Sequence, residues 1–252
     1  MRINTLRLSY SQYALFKKCP LWYHYSKTIP VVTPKTADTE IGKLMHEVFY
    51  RMLQNPPMAL DAEGLWKNIK ENNHLIDARS LRDDFESVDE MQHYYLSLNN
   101  SLLLWSSEED YVKRINTMLK NIQNLIEEIN AGDYKTEQWL YSRLEDFLIF
   151  GRFDMVSEYE IIDLKTGKVN DSDRNQVLFY SIIFYLNKGI IPTAKLFYLQ
   201  HGKIKTFRFT HNEIWDMRKD ISQTANKIIK HEFEATPGEY CRFCPFRTIC
   251  ES

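Results

Sequence analysis

Apolar residues recur every three or four positions in several long stretches of this chain, which is the spacing of a helix with one buried face. The clearest stripe consists of Val112, Ile115, Leu119, Ile122, Ile126 and Ile129. A first helix is predicted to begin at Ser9 or Ser11, which are good N-terminal caps, and to stop at Cys19-Pro20. The segment from there to Asp38 is predicted to be a loop. Further helices are predicted over residues 39–53, 108–130, 173–186 and 211–231.

A second set of stretches is rich in β-branched and aromatic residues, as strands are. These stretches lie in the second half of the chain, and Gln200-His201-Gly202 between the last two is a tight hairpin signal. The predicted strands cover residues 136–142, 147–150 continuing into 152–156, 161–165, 194–199 and 203–209. Strands and helices are therefore both expected in this half of the chain.

The part of the chain between the first helices and the strands has no strand pattern. Residues 58–131 look helical throughout, following the Asn55-Pro56-Pro57 break and ending at Gly132. The candidate helices lie near 59–73, 87–105 and 108–130. We interpret residues 55–131 as an inserted helical subdomain.

Composition narrows the class of protein. With 252 residues, 44% of them hydrophobic, the chain can bury one large core or two small ones. The 32 basic and 34 acidic residues nearly cancel, so no overall positive field marks a nucleic-acid binder and any DNA contact has to be local. The sequence shows no signal-peptide pattern and no run of about 18 apolar residues. We expect a cytoplasmic protein with no membrane partner.

Three charged residues, Asp154, Asp163 and Lys165, interrupt the apolar strand pattern. Side chains alternate along a strand, so Asp163 and Lys165 point to the same face. Antiparallel pairing across the turn at Ser157–Glu160 would bring Asp154 beside Asp163, and two such carboxylates repel unless a cation lies between them. Mg²⁺ or Mn²⁺ suits this pair of oxygen ligands, with Lys165 near a nucleophilic water or a developing phosphate charge. The alternative is a surface hairpin with an ordinary Asp-x-Lys ion pair.

Two pairs of residues are spaced four apart and therefore share a helix face. Gly42 and His46 form the first pair, and a glycine there lets another part of the chain approach the backbone closely. Gln176 and Tyr180 form the second pair, on the helix that follows the catalytic candidates. Taken alone, His46 would be interpreted as a hydrogen-bonded core histidine.

The cysteines are concentrated at the end of the chain, as Cys241-x2-Cys244-x5-Cys250. Clustered cysteines in a chain that is not small and secreted indicate metal ligands. Zinc and a 4Fe-4S cluster both need four ligands, and Cys19 is the one cysteine left. If Cys19 is the fourth, the site joins the first helix to the C-terminal segment. The spacing does not separate iron-sulfur from zinc, and thiols without a metal are a third interpretation.

Taken together and in this order, these features resemble the RecB-like branch of the PD-(D/E)xK nuclease superfamily. The resemblance is closest to its iron-sulfur-containing members, such as the CRISPR-associated exonucleases that trim prespacer DNA and the AddB nuclease domain. It extends from Ser9 to Cys250, excepting residues 55–131. The motifs that carry it are Cys19-Pro20, Gly42-x3-His46, Gly151-x2-Asp154, Asp163-x-Lys165, Gln176-x3-Tyr180 and the C-terminal cysteines.

The resemblance implies a restriction-endonuclease-like α/β core, in which a central mixed β-sheet is flanked by helices, within one nuclease domain over residues 1–252. It implies that His46, Asp154 and Asp163 bind the catalytic Mg²⁺ or Mn²⁺, with the Leu164 carbonyl helping. Lys165 would then orient or activate the attacking water. Histidine is a softer ligand than Mg²⁺ prefers, so His46 favours Mn²⁺.

The resemblance also assigns the remaining candidates. Gln176 and Tyr180 would contact DNA and support the site. Cys19 and residues 236–252, with Cys241, Cys244 and Cys250, would form a module that holds a 4Fe-4S cluster, with zinc as the alternative.

The function implied is hydrolysis of phosphodiester bonds by a metal-dependent deoxyribonuclease. We expect an exonuclease on single-stranded DNA or DNA ends, with endonuclease activity as a further option, since no P-loop motor motif is present. Protein partners would belong to a CRISPR-adaptation or recombination complex. One alternative is a DNA-end or partner-binding subunit with a structural metal cluster and a vestigial nuclease site, and another is an RNA-processing nuclease of the same fold.

Overall fold

The computed structural model describes residues 5–31, 33, 35–54, 60–71, 73–78, 90, 93–94, 97–98, 101–129 and 133–250, apart from the side chain of Phe243. The helices are α1 (Tyr10–Lys18), α2 (Pro20–Thr28), α3 (Ala37–Gln54), α4 (Ala62–Glu71), α5 (Glu108–Glu128), α6 (Asp173–Lys188) and α7 (His211–Ile229). The strands are β1 (Arg7–Ser9), β2 (Lys35–Thr36), β3 (His74–Asp77), β4 (Ser101–Leu104), β5 (Lys135–Leu144), β6 (Phe147–Val156), β7 (Glu160–Lys165), β8 (Thr193–Tyr198) and β9 (Lys203–Arg208). Two 3-10 helices, Glu239–Phe243 and Arg247–Ile249, follow.

Six strands form the central sheet, in the order β1-β6-β7-β8-β9, with β5 paired to β6. β6 is antiparallel to both β5 and β7 but parallel to β1, and β7 is parallel to β8. The hairpin predicted at Gln200–Gly202 joins β8 to the antiparallel β9. The prediction of a mixed sheet is therefore confirmed.

The sheet separates two layers of helices, as expected from strands that are buried on both faces. One layer contains α1, α6 and α7 and packs against Ile161 of β7. The other contains α3, α4 and α5 and packs against Ile162 and Leu164 of the same strand. The α/β class with helices flanking the sheet is thus confirmed, and α5 shares its core with the central sheet.

The prediction of a loop after Cys19-Pro20 is wrong, because a second helix, α2, begins there. Cys19 has an extended backbone and its Sγ accepts the N–H of Trp22 at 3.4 Å, which caps the new helix. Pro20 is its first residue, a position where the missing N–H costs nothing. The proline ends one helix and starts the next.

The prediction that residues 58–131 are helical throughout is also wrong. β3 and β4 lie inside this segment and form a parallel three-stranded sheet with β2. Leu102 and Leu103 of β4 are buried, and a short apolar run of this kind does not distinguish a strand from a buried helix by periodicity. The predicted break at residues 55–57, most of the predicted helix at 87–105 and the predicted end at Gly132 lie outside the described residues.

The helices were also compared with the dimensions of a bilayer. Among the described residues, no helix is both long enough and apolar enough to cross a membrane.

Candidate active site

The hairpin of β6 and β7 holds the two candidate carboxylates. Its strands pair at Met155–Ile162 and Val156–Ile161, and the turn is closed by a Ser157 N–H to Glu160 O hydrogen bond of 2.9 Å. Asp154 and Asp163 are 6% and 5% exposed, so two acidic side chains are buried in the sheet centre. Buried carboxylates are costly unless they are paired, bonded or bound to a metal.

Asp154 is held in place on both of its oxygens. Its Oδ2 accepts the backbone N–H of Leu164 at 2.7 Å, and its Oδ1 accepts the hydroxyl of Tyr50 at 3.0 Å. The same Oδ1 lies 3.3 Å from Nδ1 of His46. These contacts come from α3 and β7, so the carboxylate is oriented by two separate elements.

The two carboxylate oxygens of Asp163 have different partners. Its Oδ1 accepts Nε2 of Gln176 at 3.1 Å. Its Oδ2 lies 2.8 Å from Lys165 Nζ in an ion pair, and among the described residues no other donor meets this buried oxygen. A carboxylate oxygen with a single ammonium partner has a further lone pair with which it can accept a metal ion.

Lys165 is fixed by the helix that follows β7. Its Nζ donates to Oε1 of Gln176 at 2.6 Å and lies 4.0 Å from Oδ1 of Asp173. Gln176 also donates to the hydroxyl of Tyr180 at 3.2 Å, one helical turn later. The amide of Gln176 therefore sets the positions of both Lys165 and Asp163.

The two carboxyl groups have opposite protonation preferences. Burial raises the pKa of Asp163, and the nearby charge of Asp154 adds to the rise while Lys165 opposes it. Burial also pushes the pKa of Asp154 upward, but the hydrogen bond and charge of His46 and the Leu164 N–H bring it below its ordinary value. Such divergence within one buried group of titratable residues is typical of functional sites.

Asp154 also shifts the pKa values of its two partners, His46 and Tyr50. Burial lowers the pKa of His46, but the hydrogen bond and charge of Asp154 outweigh it, so the pKa is raised overall. Burial and the charge of Asp154 also raise the pKa of Tyr50, so its hydroxyl keeps the proton that it donates. The cluster is thus arranged around the negative charge of Asp154.

Gly42 allows α3 to come close to the end of β7. A Cβ added at Gly42 would lie 3.1 Å from Oγ1 of Thr166, the residue after Lys165. The close approach predicted for this glycine is therefore found, and the neighbour is Thr166. It helps to place His46 beside the hairpin.

Gly151 has a similar role under α6. A Cβ at this position would lie 2.7 Å from Cε1 of Tyr180, whose ring packs 4.7 Å from that of Phe153.

We expect Gly151→Ala to lower the free energy of unfolding by about 1–3 kcal/mol through overpacking, measured by chemical denaturation. Gly167→Ala is the matched control, because a Cβ there meets nothing within 4 Å. Equal stability of the two variants would contradict the packing argument.

The four cysteines lie apart from this cluster, around one cavity of about 70 Å³ between α2 and the C-terminal segment. None of them forms a disulfide. Burial raises the pKa of Cys244, and the other three cysteines act on it electrostatically, so the four thiols are close together. Aromatic contacts hold the C-terminal segment against α2, with ring centroids of Tyr25 and Phe246 5.5 Å apart.

Neither the carboxylate cluster nor the cysteine cluster, as far as the structure describes them, has its side chains arranged as a complete metal-coordination site. Within the described chain, no group of three or more His, Cys, Asp or Glu side chains is positioned to hold a metal ion. His46 nonetheless contacts Asp154, and Asp163 is close enough to both to interact with them electrostatically. The donor set fits a divalent ion, and the thiol set fits zinc or iron-sulfur.

The structure brings together the residues predicted for the active site, namely His46, Asp154, Asp163, Lys165, Gln176 and Tyr180. Their roles stay predictions. Sequence reasoning missed Tyr50, although it lies four residues after His46 and continues the same helix face. It also missed Asp173, whose approach to Lys165 depends on how α6 packs.

The fold and this site define an α/β protein of the restriction-endonuclease-like class. The chain belongs to the PD-(D/E)XK nuclease superfamily, whose family model matches residues 7–251. Nucleases of this superfamily typically use Mg²⁺ or Mn²⁺.

Solved structures give a similar result for the fold. The structure of a protein described as "Putative exonuclease" from Eubacterium rectale aligns with a TM-score of 0.58 and 13% identity, covering 98% of this chain and 90% of that one. A structure described as SSO0001 aligns with a TM-score of 0.35 and 15% identity over 84% of this chain and 96% of that one, too low a score to support an argument. No curated protein sequence matches the chain.

Proposed function

We propose that the protein is a metal-dependent deoxyribonuclease that hydrolyses phosphodiester bonds of single-stranded DNA or DNA ends, mainly as an exonuclease. The observation that carries this proposal is the buried pair of carboxylates at Asp154 and Asp163, with the ammonium of Lys165 2.8 Å from Oδ2 of Asp163. Membership of the nuclease superfamily supports the reaction class.

In this proposal, Asp163, Asp154 and His46 hold a divalent metal ion, Mg²⁺ or Mn²⁺, with the Leu164 carbonyl as a further oxygen donor. A metal ion bound by these residues would supply an activated water and positive charge for the phosphate. Asp154 is suited to bind because Leu164 and Tyr50 already fix its orientation. The raised pKa of Asp163 reflects burial of its charge without enough compensation, which a cation would supply.

Lys165 supplies positive charge that stabilises the negative charge developing on the phosphate during the reaction. Its Nζ is anchored by Gln176 and Asp163, so the charge is positioned before substrate binds. A preorganised donor of this kind stabilises the transition state without reorganisation at the moment of reaction. Gln176 and Tyr180 contact DNA in this proposal, and their hydrogen bond supports a positioning role for Gln176.

A second part of the proposal concerns the cysteines. Cys19, Cys241, Cys244 and Cys250 bind a 4Fe-4S cluster that joins α2 to residues 236–252, with zinc as the alternative. Its support is that all four line one cavity. The inserted subdomain at 55–131 within a single nuclease domain is a prediction from the sequence pattern. Partners from CRISPR-adaptation or recombination complexes are a prediction from the resemblance.

The activity is tested by incubating the purified protein with DNA labelled at one end, single-stranded or duplex, and with RNA, in Mg²⁺ or Mn²⁺. We expect metal-dependent loss of nucleotides from single-stranded DNA and faster reaction in Mn²⁺, as His46 favours. Binding of DNA without products in either metal would instead support a DNA-end-binding subunit with a vestigial site. Degradation of RNA alone would show the RNA-processing alternative.

A further inference from the structure

Three aromatic rings lie side by side on the open face of β5 and β6. The ring centroids of Trp139 and Tyr141 are 6.2 Å apart at an interplanar angle of 21°. Phe150 stacks on both, at 6.0 Å and 5.8 Å. Trp139 is 53% exposed and Tyr141 is 51% exposed. We call these three residues the aromatic platform.

The exposure of the platform follows from the sheet. Alternate residues of β5 and β6 face α6, where Ser142 donates to Ile183 O and Gly151 lies against Tyr180. The residues between them face the other way, and strand register places Tyr141 opposite Phe150. Aromatic rings that stay half exposed contribute less burial energy than core rings do, and contiguous exposed apolar patches often mark binding sites.

Arginines surround the platform. Arg152 lies opposite Trp139 in the strand register. Arg143 of β5 and Arg7 of β1 both pair with Leu148, which lies two residues before Phe150 on β6. Two of them have contacts of their own, since Arg152 lies 3.5 Å from Glu137 and Arg143 donates to Glu145 O at 3.1 Å. The positive charge near the rings therefore comes chiefly from Arg143 and Arg7, since Glu137 offsets that of Arg152. It is complementary to phosphate groups.

The platform is continuous with the candidate active site. Phe150, Arg152 and Asp154 follow one another at two-residue steps along β6. At a strand rise of about 3.3 Å per residue, Phe150 lies roughly 13 Å from Asp154 along the strand. Arg152, between them, is close enough to act electrostatically on His46 and Tyr50. A strand lying on the rings would reach the carboxylates within a few nucleotides.

We propose that Trp139, Tyr141 and Phe150 form a stacking platform for the unpaired bases of single-stranded DNA on its way to the active site. Rings that stack on bases, flanked by cations that follow the backbone, bind single strands with little sequence preference. Bases in a duplex are already stacked and do not present their faces. The platform therefore selects single strands, and this inference rests on the proposed nuclease function.

The test is binding of fluorescently labelled oligo(dT) to the full-length protein in EDTA, so that cleavage does not interfere. We expect Trp139→Ala to weaken binding about tenfold or more, since one base stack is lost. A matched oligonucleotide with an abasic tract should bind wild type weakly and should distinguish little between wild type and Trp139→Ala. Trp215→Ala is the control, because Trp215 is 63% exposed on α7, in the helix layer on the opposite face of the sheet from the platform. It should bind as wild type does.

The outcomes separate this inference from the proposed function. Wild type that binds oligo(dT) in preference to the abasic strand, but never cleaves it in Mn²⁺, would overturn the nuclease and keep the platform. Wild type that cleaves single strands while Trp139→Ala binds oligo(dT) unchanged would overturn the platform, as would equal affinity for the abasic strand. The rings would then be assigned to a protein contact.

Discussion

Asp163→Asn is expected to abolish metal-dependent DNA cleavage and, at the same time, to raise the melting temperature of the metal-free protein. Asparagine has almost the shape of aspartate but no charge, so it cannot serve as an anionic ligand. We expect the cleavage rate to fall on the order of a thousandfold. The two effects have one cause, the burial of this carboxylate.

The sign of the stability effect follows from the pKa. Burial raises the pKa of Asp163 in the folded protein, so the folded state binds this proton more tightly than the unfolded chain does. The group therefore stabilises the fold at low pH, and that contribution is lost as the pH rises through the raised pKa. At neutral pH, removing the charge should gain on the order of 1–3 kcal/mol, or roughly 2–8 °C in melting temperature.

The measurements are the cleavage rate in Mn²⁺ and the melting temperature in EDTA at pH 8 and at pH 4. The gain over wild type should be present at pH 8 and shrink at pH 4. Asp146→Asn, in the exposed β5–β6 turn, is the control and should behave as wild type. A variant that cleaves normally would disprove the role of Asp163, and a lower melting temperature at pH 8 would disprove the burial argument.

Cys19→Ser is expected to lose the proposed metal cluster and to destabilise the protein strongly. Cys19 Sγ caps α2, and serine is also a good N-cap, so the substitution should keep the helix and remove only the thiolate ligand. The proposed cluster closes a loop of more than two hundred residues, from Cys19 to Cys241. A covalent closure of that length stabilises by on the order of 5 kcal/mol in the chain-entropy model.

The measurements are metal content, visible absorption after anaerobic purification, and the free energy of unfolding. A brown wild type that contains iron supports the 4Fe-4S cluster, and a colourless one with stoichiometric zinc supports the alternative. Cys19→Ser that retains the metal in full would show that Cys19 is not a ligand. If wild type carries no metal, and Cys19→Ser is as stable as wild type, the cysteines have no metal-binding role.

Local sequence signals predicted the part of the fold that surrounds the site. The β6–β7 hairpin has alternating apolar residues and a polar turn, and α6 has an apolar stripe with a clear end at Gly189. Spacing of four residues placed Gly42 near His46 and Gln176 near Tyr180 on their helices. These regularities depend on neighbours in the chain, so one sequence is sufficient to detect them.

Features that depend on distant parts of the chain could not be predicted in this way. The sequence of β4 alone does not distinguish a strand from a helix, and its pairing with β2 and β3 decides the matter. The sequence of α2 alone resembles a loop, and the cap at Cys19 becomes evident only in the structure. The aromatic platform needs the register of β5 against β6, which the sequence does not reveal. The meeting of Cys19 with the other cysteines was proposed by counting ligands, and its geometry depends on the whole fold.

The pairing of β6 has a consequence for the way the site is studied. β6 pairs with β1 up to Phe150 and with β7 only from Met155, and within the described chain no strand pairs with residues 151–154 along that edge. β1 and β7 therefore diverge along this edge of β6. The first hydrogen bond beyond the unpaired stretch joins the Asp154 side chain to the Leu164 backbone of β7. The length of the Asp154 side chain therefore sets the distance between β6 and β7 at this point. Substitution of Asp154 would change ligand and framework together, whereas substitution of Asp163 isolates the chemistry.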